Sequence, residues 1–504
     1  MPADDPRRPT GNDTPSSPNP AALADSLQAL QARYGERYRW RLLMSVMVGA
    51  IAALMSSTVV NVAIPELSHH FTLGQDQAQW VTSGFMAASV VAMLTTPWML
   101  ARFGFRRTYE LCMLVLLLGG ILGGVATHYP WVLAARIAEG VAAGIVQPIP
   151  AIIILRAFSP SEQGRASGLF GMGVVLAPAL GPSLGGVLVE LAGWRSVFFM
   201  VVPFGLLAIA LARRYVPVTA PGGVAPQPDL ALDRWGLLMA SAATLTLLTG
   251  LVSLHAGPPL QAALLLAASA AALAGFVAWQ RRRQRHGNPA ALLSLDVFGQ
   301  RHFAAGGLVA LIYGAALFGS TYLIPLYLQM GMGLSAAHVG TLLLPAGLAL
   351  AGTIAMVGRL ADRQPPHRLV QSGLALLALS FAAFGLVDGH TPLVWLVALV
   401  ILGRVGLGFV LPSLNLGALR GLPAAHLPAG SSAINVLRML GGSVGVSLSG
   451  VVLQWRLAVH GATIAAGTPG PRLAAFAETF GLLAALCALA CWRARALGPT
   501  GPQR

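Results

Sequence analysis

Residues 42–64 read LLMSVMVGAIAALMSSTVVNVAI, without a single charged side chain. An α-helix needs about 20 predominantly apolar residues to cross the hydrocarbon core of a bilayer, so this stretch predicts a membrane-spanning helix. Comparable stretches recur, and together they predict fourteen spanning helices: 42–64, 79–101, 108–127, 132–155, 166–191, 196–212, 235–254, 260–280, 303–328, 337–358, 369–386, 393–417, 430–455 and 473–492. The predicted fold class is an all-α polytopic membrane protein.

The basic residues alternate across these stretches. All 32 Lys+Arg residues are arginines, and nearly all lie in the two tails and in every second gap. The exceptions are three inside apolar stretches (Arg136, Arg404, Arg438) and three in the other gaps (Arg195, Arg456, Arg472). Because cytoplasmic loops carry the excess of Lys and Arg, we predict a multi-pass protein of the bacterial cytoplasmic (inner) membrane with both termini in the cytoplasm.

Composition excludes several classes of function. Hydrophobic residues make up 56% of the chain, charged residues 10%, and the mean hydropathy is +0.70, unlike a soluble globular protein. The net charge of +15 is assigned to contact with membrane lipids rather than nucleic acid. A phosphate-binding P-loop needs a lysine, and this chain has none, so the energy source is an ion gradient or the substrate gradient.

No enzyme activity, cofactor or metal site is predicted. Two G-x-S-x-G sequences, Gly181–Gly185 and Gly441–Gly445, lie inside predicted spanning helices. A nucleophile elbow instead requires a sharp turn between a strand and a helix. The His69-His70 pair lies in a predicted loop, and we assign it no metal.

Sequence echoes divide the chain into two halves. Residues 99–107 are echoed by 360–368 at an offset of 261, and Arg136-x-x-x-Gly140 by Arg404-x-x-x-Gly408 at an offset of 268. Parallel halves of this kind place a binding site between them near mid-membrane. We predict a 6+2+6 order of segments: a cytoplasmic tail with a short interfacial helix (1–41), a six-helix bundle (42–215), a cytoplasmic linker (216–234), two inserted helices (235–280), a cytoplasmic loop (281–302), a second six-helix bundle (303–492) and a cytoplasmic tail (493–504).

Several motifs occur in the order found in one known family: Thr58-Val59-Val60-Asn61-Val62-Ala63-Ile64-Pro65, Gln79-Trp80-Val81, Arg136-x-x-Glu139-Gly140, Gly181-Pro182-Ser183-Leu184-Gly185-Gly186 and Leu437-Arg438-x-x-Gly441-Gly442. On these residues the chain resembles the fourteen-span drug:proton antiporter branch (EmrB/QacA type) of the major facilitator superfamily, over roughly residues 42–492. The resemblance implies proton-coupled export of amphipathic small molecules by alternating access. A periplasmic adaptor and an outer-membrane channel are candidate partners.

The fifth apolar stretch carries a stripe of small residues. Gly173, Ala177, Gly181 and Gly185 recur every four residues, so one helix face forms a groove that another backbone can approach closely. Two interpretations stay open, a sealing surface that opens and closes and a static packing surface. The candidate gating residues of this motif are Gly173, Pro178, Gly181, Pro182, Gly185 and Gly186.

Glu139 is the one acidic residue well inside a predicted spanning helix, and Arg136 lies three residues earlier on the same helix face. Ionisable groups held within a membrane are costly and are functional candidates by default. One interpretation makes Glu139 a proton carrier, with Arg136 beside it. The other makes the two a permanent ion pair that holds helices together.

The chain departs from the branch in its acids. The branch often has Asp where Ser56 stands in the first helix and Gln where Glu139 stands, so we hypothesise that the proton-coupling acid has moved between helices. The loop after the second helix has Ala101 in place of Asp, whereas the second half keeps Asp362. The remaining candidates are a first-helix motif (Ser56, Thr58, Asn61, Pro65) and a cytoplasmic-loop motif (Arg102, Gly104, Arg106, Arg107, Asp362, Arg363).

The substrate is constrained only by charge and aromaticity. Tyr313, Tyr322 and Gln329 are candidate cavity residues, although the tyrosines could equally pack against lipid or another helix. Arg404 and Arg438 add positive charge inside the second half, so a dicationic substrate is disfavoured. Neutral, monovalent or weakly acidic lipophilic compounds are expected. The rival functions are an uptake transporter of the same fold and a membrane sensor or scaffold that transports nothing.

Overall fold

The structure is a computed structural model that describes residues 27–73, 75–219, 227, 229–256, 258–285, 295–334, 336–388, 391–461 and 469–498. Within these ranges the side chains of 65, 75–79, 178–180, 182, 183, 255, 256, 331, 336–338, 340 and 469 are not described. Most of the predicted N-terminal tail, and parts of the linker at 216–234 and the loop at 281–302, therefore lie outside the described residues.

Throughout these ranges every regular element is helical. The α-helices are α1 Leu27–Tyr34, α2 Tyr38–Phe71, α3 Gln75–Met93, α4 Thr96–Val125, α5 Tyr129–Val146, α6 Ile149–Ala157, α7 Gln163–Ala192, α8 Ser196–Phe199, α9 Val201–Tyr215, α10 Arg234–Ala256, α11 Pro259–Arg285, α12 Asp296–Gly299, α13 Arg301–Leu326, α14 Ala336–Leu360, α15 Pro366–Phe384, α16 Leu393–Leu419, α17 Leu427–Val459 and α18 Pro469–Arg493. A π-helical turn, Tyr327–Gly331, follows α13.

Twelve stretches of the described chain are long and apolar enough to cross a membrane, so the predicted count of fourteen is not supported. The stretch predicted at 79–101 is divided, because α3 ends at Met93 and α4 begins at Thr96. Its apolar part, Trp80–Met93, is short for a bilayer. The stretch predicted at 166–191 lies within α7, whose central side chains are outside the description.

The polar gap predicted between the second and third stretches is a kink inside α4. Gly104 has φ 78° and ψ 176°, which interrupts the helix. Glycine adopts positive φ without the steric cost that a Cβ brings. Helical segments therefore meet directly at this residue, and no separate loop is needed.

Two large apolar cores organise the molecule. One is built from buried residues between Leu30 and Val216, and the other from residues between Val297 and Leu497. The helices α10 and α11 contact both halves in a small apolar cluster. Its buried members are Val90, Met93, Leu94, Ala240, Phe276 and Val436. The cores thus follow the two halves of the sequence, with α10 and α11 packed alongside.

A buried carboxylate joins α10 to α11. Asp233, which is 1% exposed, accepts hydrogen bonds from Trp279 Nε1 at 2.9 Å and Gln280 Nε2 at 2.7 Å. It also accepts one from the backbone N–H of Gly236 at the start of α10 and lies 3.3 Å from Arg283. Buried polar groups require such partners, so Asp233 fixes the pairing of the two helices.

We expect Asp233→Ala to lower the free energy of unfolding by about 1–3 kcal/mol, because the buried indole and amide donors lose their acceptor. Thermal unfolding of the purified protein in detergent measures the change. The matched control is Asp229→Ala, which removes an exposed carboxylate nearby. Equal melting temperatures for the two variants would contradict the assigned role.

Candidate transport site

A buried ion pair lies where α2 and α5 meet. Arg136 Nη1 and Glu139 Oε2 are 2.6 Å apart, and their side chains are 0% and 1% exposed. The Ser56 hydroxyl of α2 donates to Glu139 Oε2 at 3.0 Å and accepts from Arg136 Nη1 at 3.0 Å. Ser56 therefore contacts both members of the pair, from the position where the resembled branch often has its acid.

Helices α3 and α4 enclose the two members of the pair. Arg136 donates from Nε to the Val81 carbonyl at 3.2 Å and lies 4.3 Å above the Phe85 ring. Glu139 packs against α4, where a Cβ on Gly119 would lie 2.8 Å from Glu139 Cγ. Among described residues, Glu139 Oε1 and Arg136 Nη2 have no hydrogen-bond partner. A buried carboxylate oxygen without a partner is costly to keep ionised and is a natural place to hold a proton.

A cavity of about 680 Å³ lies between the two halves. Its wall is mainly apolar, and its polar members are Ser57, Thr58, Asn61, Ser89, Gln147, Tyr313, Thr321, Arg404 and Arg438. This volume is in the range of pockets that bind drug-sized molecules. Leu344 and Leu348 of α14 line it and are also 64% and 72% exposed, so the cavity reaches the protein surface.

The structure brings part of the predicted site to this cavity. Thr58, Asn61, Tyr313, Arg404 and Arg438 line it. The Arg136–Glu139–Ser56 cluster lies outside its wall, one residue along α2 from the lining residue Ser57. Helices α2 and α5 therefore contribute to both the ion pair and the cavity, but the pair itself does not face the cavity.

Other predicted residues lie elsewhere, and some lining residues were missed. Tyr322 is 39% exposed and Gln329 belongs to the π-helical turn, and neither lines the cavity. Pro65, Pro178 and Pro182 have side chains outside the description. The polar lining residues that were not predicted are Ser57, Ser89, Gln147 and Thr321. Gln147 stood out as an amide inside the predicted stretch 132–155, but this does not indicate which way its side chain faces.

The small-residue stripe of α7 contacts α2 closely. A Cβ on Gly173 would lie 3.1 Å from Ile51 Cδ1, one on Gly185 would lie 3.0 Å from the Val59 carbonyl, and one on Gly181 would collide with Thr58 Oγ1. Gly186 faces open space. The glycine backbone of α7 thus lies in close contact with α2 along this groove, with side chains at Gly173 and Gly181 and with the backbone at Gly185.

In the first half, the cytoplasmic-loop motif holds the segment after α9. Arg106 Nε donates to the Val216 carbonyl at 2.6 Å, and Arg102 Nη1 donates to the Leu230 carbonyl at 2.8 Å. The side chain of Arg107 is exposed. These arginines satisfy backbone carbonyls of the predicted linker and anchor it to α4.

In the second half, the same motif joins the two halves. Asp362 accepts from the backbone N–H groups of Gly164 at 2.6 Å and Arg165 at 3.1 Å, at the start of α7. A carboxylate is favourable at a helix N-terminus, where backbone N–H groups lack partners. Partial burial raises the pKa of Asp362, and the two N–H bonds oppose this shift. Its neighbour Arg363 is exposed.

Further contacts seal the halves at this arginine-bearing end. A Cβ on Gly168 would lie 2.6 Å from Gly358 Cα, so α7 and α14 touch backbone to backbone. Arg156 Nη2 donates to the Ala424 carbonyl at 2.6 Å. Ser431 and Ser432 of α17 donate to backbone carbonyls of the first half. The cavity is therefore closed at the end that the arginine pattern assigns to the cytoplasm.

The sequence matches the Major Facilitator Superfamily over residues 46–446. The chain belongs to the major facilitator superfamily. It is 30% identical over 449 residues to a multidrug resistance protein B homolog of Mycobacterium tuberculosis (strain ATCC 25618 / H37Rv), covering 87% of this chain and 81% of that protein. It is 28% identical over 459 residues to a probable actinorhodin transporter of Streptomyces coelicolor, covering 89% of this chain and 78% of that protein.

The fold is that of solved major facilitator structures. The human organic anion transporter MFSD10 superposes with a TM-score of 0.64 at 17% identity, covering 90% of this chain and 99% of that chain. This likeness shows the fold alone. Superfamily membership makes the chain a multi-pass membrane transporter and not an enzyme. In the described part of the chain, no group of three or more His, Cys, Asp or Glu residues could hold a metal ion.

We expect Asp362→Ala to shift this major facilitator toward a form open at the arginine-bearing end, because α7 loses its capping carboxylate. Single cysteines in a background lacking native cysteines report the change. A maleimide should react with a cysteine at the buried position Ser167 about threefold to tenfold faster in the variant. Arg363→Ala is the control, and equal rates in both variants would refute the role of Asp362.

Proposed function

We propose that the protein is a proton-coupled secondary transporter that exports amphipathic small molecules from the cytoplasm by alternating access. The observation that carries the proposal is Glu139, a fully buried carboxylate with one unpartnered oxygen, beside helices that also line the cavity. Similarity to a multidrug resistance protein B homolog supports export of small molecules. The proton gradient would be the energy source, with no cofactor.

The proposed cycle uses the Arg136–Glu139–Ser56 cluster and the contacts of Asp362 in separate steps. Protonation of Glu139 removes its charge, which weakens its bonds to Arg136 and Ser56 and alters how α2 and α5 pack. In the opposite step, release of the proton restores the ion pair. The contacts of Asp362 with α7 would close the cytoplasmic end, which makes the conformation described here one that faces outward.

The glycine stripe of α7 suits a surface that must separate and re-form. Glycine contacts are shallow, with the Val59 carbonyl at Gly185 and with the Ile51 and Thr58 side chains at Gly173 and Gly181, so they can break without leaving large side-chain cavities. We therefore propose that α7 moves against α2 during the cycle, with Gly173, Gly181 and Gly185 as the contact points. The two halves would rock about the cavity in the way that parallel-repeat transporters do.

We place the protein in the bacterial inner membrane with both termini in the cytoplasm, as the arginine pattern favours. We further propose fourteen crossings, as in the EmrB/QacA-type branch, with α3 and α7 crossing in addition to the twelve apolar stretches. The length of α7, Gln163–Ala192, suffices at 1.5 Å per residue. A periplasmic adaptor and an outer-membrane channel are the partners that such an exporter would use in a two-membrane cell.

We expect Glu139→Gln to abolish proton-driven transport while the protein stays folded, since glutamine keeps the size but cannot exchange a proton. The assay is dye accumulation in proteoliposomes whose lumen is made acidic. An antiporter should accumulate the dye in the lumen as protons leave. A proton-coupled uptake transporter should drive the dye out of the lumen with the protons, and a sensor should give no dye flux. The variant should lose at least tenfold of the driven rate but keep dye exchange without a gradient.

The matched control is Glu190→Gln, which neutralises an exposed acid near the end of α7. It should transport at the wild-type rate. Full gradient-driven activity in Glu139→Gln would overturn the proton-coupling role. The remaining interpretation would be that Arg136 and Glu139 form a permanent ion pair in the wild type.

Topology can be read with an impermeant maleimide on intact cells. With fourteen crossings, a cysteine replacing Arg107 should be protected until the membrane is permeabilised, and a cysteine replacing His128 should be labelled at once. The reason is that α3 returns the chain to the cytoplasm before Gly104. Labelling of position 107 in intact cells would show that α3 does not cross.

A further inference from the structure

Two arginines of the second half face one cavity. Arg404 of α16 and Arg438 of α17 both belong to its wall, together with Tyr313 of α13. Arg438 is 6% exposed, and the surrounding wall is largely made of aliphatic and aromatic side chains such as Leu343 and Phe318. Two guanidinium groups therefore share an apolar enclosure within the membrane-spanning part of the molecule.

In the described part of the chain, neither arginine is neutralised by a carboxylate. Across the described side chains, no carboxylate lies within 4.0 Å of either guanidinium. Arg404 Nη1 makes a long hydrogen bond of 3.4 Å to Thr321 Oγ1, and Arg438 Nη2 donates to Asn435 Oδ1 at 3.0 Å. Both contacts are to neutral oxygens. A buried charge without a countercharge is strongly unfavourable, so these positions carry a cost that packing alone does not explain.

The sequence repeat sharpens this contrast. At the offset of 268, Arg136 corresponds to Arg404, but Glu139 corresponds to Leu407. The first half thus supplies a carboxylate one helical turn from its arginine, at 2.6 Å, whereas the second half has an aliphatic residue there. Arg404, which lines the cavity, therefore lacks on its own helix the carboxylate that Arg136 has.

We infer that this cavity binds amphipathic organic anions, with Arg404 and Arg438 receiving a carboxylate or sulfonate. The inference rests on the proposed transport function and specifies its substrate class. Guanidinium groups bind planar oxyanions through paired hydrogen bonds, which are stronger than bonds to neutral groups. The apolar part of the ligand packs against Leu343, Phe318 and Met86. A cation is rejected, because the described residues of the wall include two positive charges and no acid.

Export of an anion would also draw on the membrane potential. Moving one negative charge out of a cell with a negative interior is favourable. Proton entry moves charge in the same sense. The cavity charge therefore predicts that transport of an anion accelerates with an inside-negative potential even when no pH gradient is imposed.

The test compares two dyes that share a xanthene ring system but differ in charge. Fluorescein is an anion at pH 7.4 and rhodamine 123 is a cation. Fluorescence anisotropy with the purified full-length protein measures their affinities, without any proton gradient. Wild-type protein should bind fluorescein more tightly than rhodamine 123. Arg404→Gln and Arg438→Gln should each weaken fluorescein binding by about tenfold to hundredfold, as expected for loss of a charge-assisted bond.

Three controls separate binding from folding. Arg420→Gln, at an exposed arginine just after α16, should leave both affinities unchanged. Arg404→Lys should retain part of the fluorescein affinity, because the charge remains. Arg404→Gln and Arg438→Gln should not lower the melting temperature, because each removes a buried charge that has no countercharge. If the two arginines stabilised the fold instead, both variants would melt at a lower temperature. Fluorescein should raise the melting temperatures of the wild type and of Arg420→Gln, and should raise those of Arg404→Gln and Arg438→Gln less.

The outcomes are decisive for the anion site and independent of proton coupling. Wild-type preference for rhodamine 123, or unchanged fluorescein affinity in both Gln variants, would overturn the anion site. Glu139→Gln should still bind fluorescein, because Glu139 lies outside the cavity wall. If Glu139→Gln also keeps full proton-driven transport, the proposed coupling fails while the anion site stands.

Discussion

The cost of holding an ion in hydrocarbon governs this molecule at every level. It sends nearly all arginines to one side of the predicted spans and leaves three inside them. Within the membrane it permits Glu139 only beside Arg136, at 2.6 Å and with Ser56 as a third partner. Arg404 and Arg438 break this pattern, since neutral oxygens are their hydrogen-bond partners. The intramembrane arginines without a described carboxylate partner, Arg404 and Arg438, are thus the ones that line the cavity.

The two halves use related residues for different purposes. The loop motif of the first half, with Ala101 in place of Asp, binds the linker through Arg102 and Arg106. In the second half, Asp362 crosses to the other bundle and accepts two N–H bonds from α7. The intramembrane arginines diverge likewise, one internally paired and one facing the cavity. The two halves are similar scaffolds, and single differences such as Glu139 against Leu407 give them different roles.

Hydropathy and spacing predicted what depends on local sequence, namely the helical class and the adjacency of Arg136 and Glu139, three residues apart on one helix. Contacts between distant segments were not predictable in this way. No local pattern announces that Ser56 meets Glu139 or that Gln147 lines the cavity, since both depend on how helices rotate about their axes. The helix boundary at Thr96 and the kink at Gly104 were also not predicted, because the apolar pattern continues through residue 101.

Separation of the ion pair from the cavity decides how coupling must work under the proposed function. A shared acid would let proton and substrate compete for one group, but Glu139 does not face the cavity, and the cavity carries positive charge. Communication therefore has to pass through the helices that serve both places. Ser56 binds Glu139 while its neighbour Ser57 lines the cavity, and α5 carries both Glu139 and the lining residue Ala143. A small rotation of α2 or α5 would move both sites together, so protonation and substrate release become one conformational event.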